Sequence, residues 1–307
     1  MLDWTLQLHV YNEVYVSGGS KLPTFFAVYK PGDNEWEVLP SLPDEGREQH
    51  AMAAINSSIY VLGGRQKTAD GEKTISSSVL RYNTKTKEWS EFCQLTLGVR
   101  ETAAATLGHR IYLFGGVDSR GATTDLVQWV DTLGGCTYQA GKLPTPTCGA
   151  RALSNGGRIY VVRPEGDVLC MWESFLLAEH IEKTISNRKE KENDPPPTIR
   201  TVSFREVGKF PGRRHFGACL SAGDITVCGG QSKDGELLQS FHTIRLEDAT
   251  ATQKPLLLIP EAAKFNLHML NIPKIFLKRS KQKNHLPQKW FLVDEVERFV
   301  PNQTSNT

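Results

Sequence analysis

The sequence lacks the features that mark membrane, secreted and nucleic-acid-binding proteins. It contains no apolar run of about eighteen residues, so no membrane-spanning helix is predicted. The first residues, MLDWTLQLHVYNE, carry an early acid and no basic flank before an apolar block, which argues against a secretory signal. The formal net charge is only +2, whereas a general nucleic-acid surface needs a strong basic excess. Nucleic acid is therefore not an expected partner.

Motifs for metal binding and catalysis are also missing. The six cysteines form no CxxC pair, and the eight histidines are dispersed, with no HxH or HExxH. Neither a GxSxG elbow nor a P-loop occurs. We therefore predict a non-enzymatic protein with no catalytic residue, no cofactor and no metal. An enzyme that assembles acids from loops distant in sequence stays open as an alternative.

The cysteines and the missing secretory signal together indicate a reducing compartment. Cys219 and Cys228 fall in apolar strand-like stretches and have the character of small buried hydrophobes. We expect a cytoplasmic protein, with the nucleus as an additional location.

What the sequence does have is a repeat that ends in two adjacent glycines. The copies are EVYVSGG at 13–19, SSIYVLGG at 57–64, RIYLFGG at 110–116 and DITVCGG at 224–230. Equivalent positions are Tyr15, Tyr60, Tyr112, Tyr160 and Thr226, so the steps between copies are similar except for a longer last one. Because glycine has no Cβ, each pair indicates a place where another backbone comes very close. Periods of about 40 to 50 residues with several short strands are typical of a propeller.

Each period contains enough strand-like segments for one four-stranded blade. An apolar stretch and a short turn precede the glycine strand, and a third strand, a polar turn and a fourth strand with an aromatic residue follow it. We predict an all-β propeller of antiparallel blades over residues 1–262. Five blades are recognisable, at 7–45, 46–97, 98–146, 147–211 and 212–262. Residues 263–307 are either a degenerate sixth blade or a basic C-terminal tail.

The stretch IYVLGG followed by VLRYNTKTKEW resembles the kelch repeat, as found in the kelch domains of BTB-kelch proteins. The fourth copy departs from the pattern, with RPEG in place of the glycine pair, and the fifth has no aromatic fourth strand. We expect the repeat residues to be structural. They are Gly18, Gly19, Gly63, Gly64, Gly115, Gly116, Gly229, Gly230, Trp36 and Trp89.

Two segments depart from the repeat. Residues 179–200 form a charged insertion with three consecutive prolines, which cannot support a packed core and is either a tolerated surface excursion or a partner-binding loop. Residues 274–289 carry six lysines or arginines and no acid. This run is either a solvated tail or a localisation or phosphate-binding element.

The loops that lead into each blade carry basic residues, and in related kelch propellers such loops bind the target protein. Three arginines lie at nearly regular offsets before the glycine strands, and two histidines and a further arginine lie nearby. The predicted partner-binding residues are Arg47, His50, Arg100, Arg151, Arg214 and His215. Arginine can clamp carboxylates in bidentate fashion, which suits an acidic target peptide. The alternative is that these side chains brace neighbouring loops.

The resemblance implies a function as a protein-interaction module. It suggests the substrate-recognition propeller of an adaptor for a cullin-RING ubiquitin ligase, in the ubiquitin-like conjugation pathway. A cullin would be reached only through a BTB domain, and these 307 residues do not contain one. A second reading is a cytoskeletal scaffold, since some kelch proteins bind actin, and a propeller enzyme is the third.

Overall fold

The computed structural model is an all-β protein in which strands follow one another with short connections. It describes residues 6–10, 12–68, 70–155, 157–175, 200–221, 223–246, 250–255, 276–280 and 289–293. The insertion predicted at 179–200 lies outside the described residues except for Arg200, and so does most of the segment 263–307. No membrane-spanning helix is found among the described residues.

Four-stranded antiparallel sheets form five successive blades. Blade I contains β1 (Leu6–Val10), β2 (Glu13–Ser17), β3 (Phe26–Lys30) and β4 (Glu35–Val38). Blade II contains β5 (Ala51–Ile55), β6 (Ser58–Leu62), β9 (Ser78–Asn83) and β10 (Glu88–Gln94), and its second connection carries a small hairpin of β7 (Arg65–Lys67) and β8 (Lys73–Ile75). Blade III contains β11 (Ala103–Leu107), β12 (Arg110–Phe114), β13 (Leu126–Asp131) and β14 (Cys136–Lys142).

The two remaining blades repeat the same order. Blade IV contains β15 (Arg151–Asn155), β16 (Arg158–Val162), β17 (Asp167–Phe175) and β18 (Arg200–Lys209). Blade V contains β19 (Gly217–Ser221), β20 (Asp224–Cys228), β21 (Ser240–Arg245) and β22 (Thr250–Pro255). A separate hairpin pairs β23 (Phe276–Ser280) with β24 (Lys289–Val293). The predicted fold class, with five recognisable blades, is confirmed, while the domain limits and a sixth blade stay predictions.

The hydrophobic core lies between neighbouring blades. Successive side chains of a strand point to opposite faces, so a central strand packs on both of its neighbours. In β6, Ile59 and Val61 belong to the cluster shared with blade I, whereas Tyr60 and Leu62 belong to the cluster shared with blade III. The inner strands β1, β5, β11, β15 and β19 contact one another in that order. This arrangement explains why each glycine strand is a continuous apolar run.

The aromatic residue of the fourth strand fills the space between two blades. In blade II, the Trp89 ring lies 4.9 Å from the Phe26 ring of blade I, and its indole nitrogen donates a hydrogen bond of 2.8 Å to the Pro40 carbonyl. Trp36, at the same place in blade I, packs on Tyr29 at 5.2 Å and is 39% exposed. A single large ring therefore joins blade II to blade I.

The glycine pair lies where two loops approach the end of the second strand. Gly63 and Gly64 both have positive φ angles, of 61° and 89°. A Cβ on Gly63 would lie 2.3 Å from the Val99 carbonyl oxygen of the next blade, and one on Gly64 would lie 2.6 Å from the His50 Cβ. The Gly64 amide also donates a hydrogen bond of 2.8 Å to Val99. The close backbone approach expected from the sequence is present at this pair.

Candidate functional site

Two sets of loops meet at one end of the propeller, and we call this end the loop face. It consists of the connections between successive blades (39–50, 95–102, 143–150 and 210–216) and those between the second and third strands (18–25, 63–77, 115–125, 163–166 and 229–239). Backbone hydrogen bonds in both directions join the two sets in three blades. The joined residues are Glu48 with Arg65, Arg100 with Val117, and Arg214 with Gln231. The loop face is therefore a braced surface.

A second series of hydrogen bonds links successive blades along the inner edge of this face. The Glu101 amide donates to the Gln49 carbonyl, and the Gly149 amide donates to the Glu101 carbonyl, each at 2.8 Å. Gln49, Glu101 and Gly149 have positive φ angles of 58°, 54° and 71°, and His215 in the next blade has one of 55°. Left-handed backbone costs energy for residues other than glycine, so the surrounding contacts must hold it in place.

The side chains of Arg47 and His50 lie beneath the surface of the loop face, because both are buried. Arg47 is 1% exposed, and its Nη1 donates to the carbonyls of Gly63 at 3.0 Å and Ser78 at 2.9 Å. His50 is 2% exposed and lies 2.8 Å from the Ser17 hydroxyl. Burial lowers the pKa of Arg47 to about 10 and that of His50 to about 3. Both side chains stabilise the contact between blades I and II and are not available to a partner.

The structural counterpart of Arg47 is Arg213 and not Arg214. Its Nη1 donates to the carbonyls of Gly229 at 3.0 Å and Ser240 at 3.1 Å, which repeats the pattern of Arg47. In the backbone pairing, Glu48 occupies the place of Arg100 and Arg214. In the sequence, Arg47 lies one position further from its glycine strand than Arg100 and Arg214 lie from theirs, and this offset is a real difference in the fold.

Other charged side chains of the loop face form ion pairs and hydrogen bonds with one another. Arg100 donates to Gln49 at 3.2 Å and forms an ion pair with Glu101. Glu48 accepts from Arg65 at 2.8 Å and from Lys73 at 2.7 Å. Burial opposes ionisation of Glu48, but these two hydrogen bonds lower its pKa below the usual value. These pairs support the bracing alternative for Arg100, and they leave less positive charge for an acidic partner than the sequence suggested.

Arg214 and His215 are exposed on the loop face, as a partner-binding role requires. Two apolar side chains that the sequence reasoning did not single out are also exposed there: Leu22 at 49% and Leu237 at 79%. Both belong to connections between second and third strands, and the residues next to them in the sequence carry no shared signal. Exposed apolar residues next to charged ones are a common composition of protein-binding surfaces.

Arg151 lies at the start of β15, close to blade V. Its guanidinium carbon is 5.8 Å from the centre of the Phe216 ring, and its Nη1 donates to the Ala150 carbonyl at 3.1 Å. Its Nε is buried and has no hydrogen-bond partner among the described residues. Burial lowers the pKa of Arg151 below its usual value. The structure therefore places this predicted residue, half-buried, beside the loop face.

No cluster of three or more histidine, cysteine or acidic residues suited to a metal ion is present in the part of the chain that the structure describes.

Comparisons with known proteins find relatives of two kinds. The family model for N-acetylneuraminate epimerase matches residues 4–129. The N-acetylneuraminate epimerase of Haemophilus influenzae (strain PittEE) is 30% identical over 105 residues, which cover 34% of this chain and 28% of that protein. Kelch-like protein 35 of Mus musculus is 30% identical over 120 residues, covering 39% of this chain and 20% of the relative. Alpha-scruin of Limulus polyphemus is 24% identical over 152 residues, which cover 46% of this chain and 16% of that protein.

Among solved structures, that of YjhT superposes with a TM-score of 0.53 at 14% identity, covering 82% of this chain and 97% of the other. This likeness concerns the fold alone. The matched regions span less than a third of the length of each of the three sequence relatives. The sequence relatives thus carry two kinds of names, kelch-like protein and N-acetylneuraminate epimerase, and each match covers only part of this chain. The chain is a kelch-type β-propeller that resembles the kelch domains of kelch-like proteins.

Proposed function

We propose that the loop face binds a target protein, and that the propeller is the substrate-recognition part of a BTB-kelch adaptor for a cullin-RING ubiquitin ligase. The observation that carries this proposal is the backbone bracing of the two loop sets in blades II, III and V. A pre-organised surface loses little conformational entropy when it binds, so its contacts translate into affinity. The cullin would be reached through a BTB domain outside these 307 residues, in the cytoplasm or nucleus.

The exposed side chains of the loop face suit a protein partner. Leu22 and Leu237 can be buried against a target, while Arg214 can donate to its carbonyl or carboxylate groups. These three residues come from blades I and V, at the two ends of the described series of blades.

A matched pair of leucines tests the proposal. Leu237 on the loop face and Leu133 in the turn between β13 and β14, at the opposite end, are both 79% exposed. Wild type, Leu237→Ser and Leu133→Ser are first compared by thermal unfolding, and they should unfold at the same temperature because neither leucine packs in the core. Proteins captured from lysate by wild type are then purified, and their affinities for all three chains are measured.

We expect a purified partner to bind Leu237→Ser, or Leu237→Ser combined with Arg214→Glu, at least tenfold more weakly than it binds wild type. Its affinity for Leu133→Ser should be unchanged. Equal loss in both leucine variants would place the binding surface elsewhere. Actin as the sole partner, with cosedimentation of the chain and filaments, would replace the adaptor role with the cytoskeletal scaffold.

A second candidate function is favoured by the family match over residues 4–129. In this case the propeller is an enzyme that acts on N-acetylneuraminate. The test follows the two anomers of freshly dissolved N-acetylneuraminate by proton NMR, with and without the protein. An interaction module leaves the rate unchanged, whereas catalytic acceleration at micromolar protein would favour the enzyme.

A further inference from the structure

One residue at the inner edge of the propeller breaks the repeat. The first residue of each inner strand pairs with the last residue of the second strand, and this register identifies equivalent positions in the five blades. They are occupied by Leu6 opposite Ser17, Ala51 opposite Leu62, Ala103 opposite Phe114, Arg151 opposite Val162, and Gly217 opposite Cys228. Four blades therefore carry an apolar side chain or none, and blade IV alone carries an arginine.

The guanidinium of Arg151 is largely without partners in the described residues. Its contacts there are one hydrogen bond from Nη1 to Ala150 and the ring of Phe216, while Nε is buried and unpaired. No carboxylate among the described residues forms an ion pair with it. A polar atom that is buried without a hydrogen-bond partner is costly, so the position of Nε needs an explanation.

Arginines that are buried as whole residues have hydrogen-bond partners. Arg163 binds Asp167, with distances of 3.0 Å from Nε to both carboxylate oxygens. Arg213, which lies over the ring of Phe210 as Arg151 lies over Phe216, donates to two backbone carbonyls. Arg151 is only half-buried, and it lacks the hydrogen-bond partners that these two buried arginines have.

We propose that Arg151 binds a carboxylate at the inner edge of the loop face, between blades IV and V, a proposal that rests on the loop face being the binding surface. Nη1 is engaged by Ala150 and Nε is buried, so Nη2, which has no hydrogen-bond partner among the described residues and is not buried, remains to donate to an oxygen of the ligand. The residue keeps some exposure, and the exposed Arg214 and His215 directly precede Phe216. The carboxylate belongs either to an acidic side chain of a target protein or to a small sugar acid.

A stability measurement separates a ligand-binding role from a structural one. Arg151→Ala installs the residue that blades II and III already have, and it removes a buried nitrogen that has no hydrogen-bond partner among the described residues. We expect the melting temperature to stay level or to rise by roughly 2–4 °C, since stabilisation is the usual result of removing a functional but costly group. The control Arg213→Ala should lower it, because two backbone carbonyls lose their donor. A fall for Arg151→Ala as large as that control would overturn the proposal.

Binding is measured by NMR on the whole chain, through the Nε–H resonance of Arg151, which is assigned by its disappearance in Arg151→Lys. Three probes are titrated separately: N-acetyl-glutamate methylamide, its uncharged counterpart N-acetyl-glutamine methylamide, and N-acetylneuraminate. We expect a saturable shift of the Nε–H resonance with at least one carboxylate and none with the glutamine compound. Because Arg151→Ala has no Nε–H group, the backbone amide of the neighbouring Ala152 reports binding in that variant. Its response should be at least tenfold weaker than in wild type.

The arms separate this inference from the proposed function. A shift with the glutamate compound supports both the carboxylate site and a protein target. A shift with N-acetylneuraminate alone supports the carboxylate site and counts against the interaction module. No shift with either carboxylate, or an equal shift with the glutamine compound, overturns the carboxylate site, while the leucine variants still decide the loop-face proposal.

Discussion

Two buried histidines make the fold sensitive to mild acid. His50 and His242 are each 2% exposed, and each has one ring nitrogen, Nδ1 and Nε2 respectively, without a hydrogen-bond partner in the described residues. Burial lowers the pKa of His50 to about 3 and that of His242 to about 4, and neighbouring arginine charges contribute to both shifts. An unfolded histidine has a pKa near 6.5, so the unfolded chain takes up protons first as the pH falls.

The sign and size of the effect follow from proton linkage. Each neutral histidine contributes stability that is present above about pH 6.5 and is lost as the pH falls towards its native pKa. Between pH 7.5 and 5.5 each histidine lowers the free energy of unfolding by about 1.4 kcal/mol. At pH 5.5 roughly ten of eleven unfolded molecules carry a proton on that histidine, whereas almost no native ones do. Together His50 and His242 cost about 2.7 kcal/mol, which corresponds to a fall in melting temperature of roughly 5–10 °C.

Urea unfolding at pH 7.5, 6.5 and 5.5 measures this loss, and His50→Gln isolates one contribution. The variant should be less stable than wild type at pH 7.5, because a packed ring is replaced. Its loss of stability between pH 7.5 and 5.5 should nevertheless be about 1.4 kcal/mol smaller. If wild type and His50→Gln lose stability in parallel over this range, the reasoning from burial at His50 is refuted.

Three further predictions concern contacts between blades. Gly63→Ala should lower the free energy of unfolding by at least about 2 kcal/mol, because its Cβ would meet the Val99 carbonyl. Gly71→Ala, where a Cβ meets no described neighbour, should lower it by about 1 kcal/mol. Urea unfolding measures both. Trp89→Phe should cost about 1–2 kcal/mol through the lost bond to Pro40, and its melting temperature checks this. Arg213→Met should lose about 2 kcal/mol, and a change within roughly 0.5 kcal/mol, the scatter of surface substitutions, would contradict the bracing role.

The repeated core could be predicted from the sequence because it depends on local patterns. Continuous apolar runs, turn glycines and an aromatic residue in the fourth strand together mark one blade. The double glycine indicates a backbone contact, which is present between Gly63 and Val99. These signals involve residues within one period, so a single sequence carries them.

The placement of the arginines could not be predicted with the same success. Arg47 and Arg100 lie at nearly the same distance before their glycine strands, so the sequence predicts the same role for both. The difference of one position nevertheless places the side chain of Arg47 in the space between blades, where it is buried. Whether an arginine finds an acid, as Arg100 does with Glu101, depends on loops whose contacts no repeat constrains. The sequence places Arg151 near the loop, whereas its unpaired Nε is visible only in three dimensions.

The central claim is that the loop face binds a target protein. Hydrogen–deuterium exchange of the chain, alone and saturated with a purified target, tests it most directly. The account predicts added protection in the loop-face segments, above all 18–25, 210–216 and 229–239, with no change in the opposite turns at 31–34, 84–87 and 132–135. Protection confined to those opposite turns would contradict it.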